Sequence, residues 1–96
     1  MADYVRAVTF EADNTAIDAL VDEINAAEGA PAGLPATRIT VLADRAGGKL
    51  IVATRYSSEE DRANGAEILE GMSPPSAGNI SRVSVDNYEV LVERQA

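Results

Sequence analysis

"VLADRAGGKLIVATRYSSEEDRANGA", residues 41–66, carries most of the information about the fold. Two runs rich in β-branched and apolar residues, 37–44 and 49–56, flank the turn Arg45-Ala46-Gly47-Gly48. Runs of that composition around a glycine-bearing turn form an antiparallel hairpin. Setting Asp44 opposite Lys49 brings Leu42 to Ile51, Thr40 to Ala53 and Arg38 to Arg55. Opposed residues share a face of the sheet. One face then carries Ile39, Val41, Ala43, Leu50, Val52 and Thr54, apolar enough to lie under helices. The other mixes Arg38, Thr40 and Arg55 with Leu42, Ile51 and Ala53.

The same stretch continues into Ser57, Ser58, Glu59, Glu60 and Asp61. Ser57 with Glu60 and Ser58 with Asp61 both match the Ser-x-x-acid pattern that opens a helix. Acids in a first turn also face the positive end of the helix dipole, at about 0.3–1 kcal/mol each. A metal site needs more oxygen or nitrogen ligands converging than this cluster supplies. The acids are expected to start a helix over 57–72, weakened by Gly65 in its interior.

Working outward, residues 4–12, YVRAVTFEA, have strand composition. In 13–29, Ile17, Leu20, Val21, Ile24 and Ala27 form one helical stripe. Thr15 with Asp18 fits a capping box there, and Gly29 is placed to end the helix. Residues 30–36 are a Pro/Gly loop without the strand context of a phosphate-binding loop, and 73–79 break the second helix. Residues 81–93 close the chain as a long strand, with a bulge expected near Asp86 and Asn87. The expected order is strand, helix, strand, strand, helix, strand: a single α+β domain over residues 1–96 with a four-stranded antiparallel sheet.

Composition narrows the function. Among 96 residues, 8 are basic and 16 acidic, a formal charge of −8 that disfavours nucleic acid and anionic membranes as partners. Cysteine, histidine and tryptophan are absent, which removes thiol chemistry, the commonest general base and the commonest metal ligand. No cofactor is expected. No apolar run approaches the roughly 20 residues of a membrane span. The opening MADYVRAV lacks the charged start and apolar stretch of a secretory signal, so the cytoplasm is the expected location. The Asn79-Ile80-Ser81 sequon is read as chance in such a chain.

The mixed hairpin face is too apolar to leave in water on a monomer, and pairing with a second copy covers it most simply. Its arginines are the main candidates for chemistry. Arg38 and Arg55 lie there, and Arg6 joins them on one of the two facings open to the first strand. Guanidinium groups grip carboxylates in two-pronged fashion, so the three fit a cleft for an anionic ligand. They also fit the simpler reading, pairing with acids of a partner subunit or reaching solvent at strand ends. Tyr56 and Tyr88 complete the candidate set, in ligand contact or in packing; neither has a visible base beside it.

The strand–DR-x-x-G–strand–SSEED succession of residues 41–66, with VRAVTFEADNTAIDAL before it and VDNYEVLVE after it, resembles the dimeric α+β barrel superfamily. Within it, the chain is similar to small antibiotic biosynthesis monooxygenase-like proteins. The resemblance implies a ferredoxin-like monomer, a homodimer paired through open sheets, and a pocket between sheet and helices. Some such relatives oxidise polycyclic aromatics without metal or flavin, using Asn, Tyr, Trp and His; others degrade haem held by a helix His. Tyr56, Tyr88 and Asn64 are of the right types for the first group, but the chain lacks the His and Trp on which these mechanisms draw. Two functions stay open: a barrel that binds a small organic ligand, anionic or aromatic, and a cofactor-independent monooxygenase or isomerase of a secondary metabolite.

Overall fold

The computed structural model describes residues 3–27, 29, 31–72 and 78–96. Its order is β1 (Tyr4–Ala12), α1 (Asn14–Ala26), β2 (Arg38–Asp44), β3 (Lys49–Tyr56), α2 (Glu59–Glu70) and β4 (Ile80–Glu89). All pairings are antiparallel, in one sheet of order β2-β3-β1-β4. This α+β arrangement is compatible with a ferredoxin-like fold. Among the described residues, no helix is long and apolar enough to cross a membrane.

The hairpin register is the expected one, from Arg38 opposite Arg55 to Asp44 opposite Lys49. The turn holds because Asp44 Oδ1 accepts from the Gly47 N–H at 2.9 Å and Gly48 takes the left-handed φ of 67°. Arg45 leaves the turn to reach Asp18 of α1, Nη2 to Oδ1 at 2.6 Å. Residues 30 and 73–77 of the two expected breaker loops lie outside the described residues.

β1 lies between β3 and β4, with Arg6 opposite Thr54 and Asn87. The first strand's facing is thereby resolved: Arg6, Val8, Phe10 and Ala12 turn to the helices, and Val5, Ala7, Thr9 and Glu11 to the open face. The bulge expected at Asp86 and Asn87 lies instead across from Thr9 and Phe10, where Thr9 pairs with Ser84 and Phe10 with Arg82. Val83 is the extra residue and stays 57% exposed. β4 also ends at Glu89 rather than near Glu93, although the Val90 N–H still donates to the Asp3 carbonyl at 2.8 Å.

Both helices start on side-chain caps. Ser58 caps α2 as expected, its Oγ accepting from the Asp61 N–H at 3.1 Å. α1 is capped two residues earlier than the Thr15–Asp18 pattern suggested, by Asp13 accepting from the Ala16 N–H at 2.8 Å. A carboxylate on an extended residue outcompetes a hydroxyl already inside the first turn. The second Asp13 oxygen accepts the Asn79 N–H and side-chain amide, tying α1 to the start of β4. Gly29 lies past the end of α1 at φ 117°.

The core gathers where α1 begins. Ala12, Ala16, Ile17 and Leu50 form a buried cluster, backed by Phe10, Leu20, Val41 and Ile80. Full burial of a side chain such as Ile17 or Leu50 contributes about 1.5–3 kcal/mol. Farther along the helices this packing gives way to open space.

Candidate functional site

That space is a cavity of about 650 Å³ between the sheet and the two helices. Val8, Phe10, Ile39 and Val52 supply the apolar part of the sheet side. Leu20 and Ile24 of α1 and Leu69 of α2 supply the helix side. The volume falls in the range of small-molecule pockets, which are mostly apolar with a few placed polar groups. Among the described residues its charged members are Arg6, Glu23, Glu70 and Arg82, and its one hydroxyl is Thr54, which donates to the Arg6 carbonyl at 3.4 Å.

Three of those charges form one corner. Arg6 Nη2 donates to Glu70 Oε1 at 2.6 Å, and Arg82 Nη1 donates to the same oxygen at 2.5 Å. The Arg6 side chain is 5% exposed; Glu70 and Arg82 are each about half exposed. The Arg82 hydrogen bond is the largest influence and holds the Glu70 carboxyl below its usual range; burial opposes it, and the charges of Arg82 and Arg6 with the Arg6 hydrogen bond add to the lowering. The strand places Arg6 because its partner across β3 is the buried Thr54, and α2 brings Glu70 down over it.

The structure separates the three arginines grouped from sequence. Arg6 lies on the helix face, inside the cavity wall, while Arg38 and Arg55 lie on the open face. There they border a small depression of about 180 Å³ with Val5, Thr40 and Ala53. Arg55 is held by two carboxylates, Asp3 Oδ2 at 2.7 Å from Nε and Glu93 at Nη1. Those hydrogen bonds, Asp3 first, raise its pKa further. Among the described residues Arg38 makes no ion pair. Sequence alone offered no signal for Arg82 or Glu70, since only the bulge and the descent of α2 join them to Arg6.

The two tyrosines also part. Tyr56 is fully buried, its ring lying where a side chain on Gly65 would be: an added Cβ would stand 2.4 Å from both Cε1 and Oη. Gly65 therefore lets α2 settle on Tyr56, and the phenol Oη has no hydrogen-bond partner among the described residues. Tyr88 is 54% exposed on the open face, opposite Val5. No tyrosine or asparagine lines the cavity among the described residues. Nor, among the described residues, does any group of three or more acidic side chains gather as a metal site would need. Comparison with known protein families, curated proteins and solved structures finds no match for this chain.

Proposed function

We propose that this chain is a homodimer of the dimeric α+β barrel type that binds a small organic ligand in the cavity between its sheet and helices. The cavity carries the proposal. A 96-residue domain has little interior to spare, yet this one keeps about 650 Å³ open beside a small core. The space opens in part to solvent, and an occupant would take its apolar lining out of water, at about 25 cal/mol per Å² buried. Space retained beside a buried arginine suits an occupant. The absence of Tyr and Asn from its described lining favours binding over the cofactor-independent oxygenase or isomerase alternative.

The dimer rests on the open face, where Leu42 is 52% and Tyr88 54% exposed beside half-buried Ile51 and Ala53. A second copy would cover those side chains. Light scattering at tens of micromolar should give twice the chain mass, and Ile51→Glu should return a monomer by placing an unpaired charge in the interface. A monomeric parent would remove the dimer from the proposal.

A thermal-shift screen of small aromatic and aliphatic compounds should find stabilisers, because binding adds RT ln(1 + [L]/Kd) to folding, roughly 2.7 kcal/mol at a hundredfold excess over Kd. Val52→Phe, which fills the cavity from its sheet side, should abolish their effect while leaving the fold intact. Stabilisers that work equally on Val52→Phe would place the site elsewhere.

A further inference from the structure

The charged corner says what kind of ligand the cavity takes. Arg6 and Arg82 donate to a single oxygen of a single carboxylate, at 2.6 and 2.5 Å. Two positive charges thus share one negative charge, leaving an excess of one unit at the edge of an apolar space. Each guanidinium carries five N–H donors, and among the described residues each makes one side-chain hydrogen bond, both to Glu70. Glu23, the fourth charged residue of the lining, sits exposed on α1 and bonds to neither arginine. Arg6 is also nearly stripped of water, which makes an uncompensated charge there expensive. In a chain with a formal charge of −8, such a local excess of positive charge stands out.

We propose that the ligand is an organic acid with one negative charge: a carboxylate that docks on Arg6 and Arg82, and a hydrocarbon or aromatic body that fills the apolar cavity. The inference rests on the cavity being a ligand site and goes further by assigning the ligand's charge and its anchor. Glu70 acts as an internal competitor, occupying donors the ligand would use. A single charge neutralises the corner, whereas a dianion would overshoot it. Carboxylate geometry also suits the paired donors of a guanidinium.

The test pairs decanoate with decanamide, and 2-naphthoate with 2-naphthamide, by calorimetry on the full chain. In the parent each acid should bind about tenfold tighter than its amide. Arg82→Gln, at a half-exposed position, should largely remove that preference by weakening acid binding far more than amide binding. Glu70→Gln should act with the opposite sign and tighten acid binding, because it frees both guanidiniums from their own carboxylate. A merely structural triad gives no such opposition of sign. Equal binding of acid and amide by the parent overturns the inference while the cavity stands as a neutral-ligand site. A Glu70→Gln protein that weakens acid and amide alike overturns it too. If neither acid nor amide binds and the wider screen is silent, the cavity itself is not a ligand site and both proposals fall.

Discussion

Two arginine clusters on opposite faces of one sheet use the same chemistry in opposite proportions. On the helix face two guanidiniums, Arg6 and Arg82, share Glu70. On the open face one guanidinium, Arg55, is held by two carboxylates, Asp3 and Glu93. The first cluster is short of negative charge and borders a large apolar cavity. The second is balanced, its two carboxylates matching Arg55 and the neighbouring Arg38, and borders only a small depression. Residue type alone therefore does not make an anion site; the ratio of partners and the depth of burial do. Arg55 ties both chain ends to the sheet, whereas Arg6 keeps donors in reserve.

The sharpest way to break this comparison is to delete carboxylates one at a time and follow thermal unfolding. Glu70→Leu removes the one acid that contacts the nearly buried Arg6 among the described residues and should give the largest loss of stability in the set, since an orphaned buried charge is the costly outcome. Asp3→Ala or Glu93→Ala alone should do little, because Arg55 keeps its second partner and is partly in water. Equal losses from all three would mean the two clusters are not different in kind.

Next come two substitutions in α2, the element that carries Glu70 to Arg6. Gly65→Ala would gain about 1 kcal/mol in an unconstrained helix, but here the new methyl meets the immobile Tyr56 ring at 2.4 Å. Overpacking of that kind costs about 1–3 kcal/mol, so a net loss is expected in chemical denaturation, with Arg6 and Glu70 pulled apart. Tyr56→Phe should restore part of it, because Oη is one of the colliding atoms and lacks a partner in the parent. A stabilised Gly65→Ala protein would show that α2 does not rest on Tyr56. Ser58→Ala, which removes only the cap, should cost about 1 kcal/mol by the same measurement.

These residues also show how much was legible beforehand. The hairpin register, the strand order along the chain and the Ser58 cap could be read because each depends on neighbours in sequence: alternation along 37–56, and a serine three residues before an acid. The apolar face under the helices followed from the same alternation. The facing of β1 could not be read, since YVRAVTFEA alternates apolar residues on both sides and only pairing with β3 and β4 decides between them. The bulge moved for a related reason: it accommodates β4 against β1, a long-range register with no local signature. The candidate site fared accordingly. Arg6 was named on chemical type but grouped with the wrong arginines, and its actual companions, Glu70 and Arg82, come from elements 64 and 76 positions away.

The smallest expected effect separates the clusters by pH. The Glu70 carboxyl is held below its usual pKa, chiefly by the Arg82 hydrogen bond, so it binds protons less readily folded than unfolded. A group depressed in this way contributes stability that is complete above its unfolded pKa and disappears as pH falls through the folded value. The window is therefore acid, below about pH 4. Arg55 has the opposite shift, raised by Asp3 and Glu93, and its contribution would vanish only as pH climbed through a value beyond any at which the chain could be studied. Asp13 is also depressed, mainly by the Ala16 N–H, and shares the acid limb. Glu70→Gln should then flatten stability against pH below about 4 in part, and Asp13→Asn, which still caps α1, should flatten it further. Both profiles can be followed by urea denaturation across the acid range. A Glu70→Gln protein that keeps the parent's full acid slope would mean that folding does not feel the shared carboxylate, and the contrast between the two faces would then rest on burial alone.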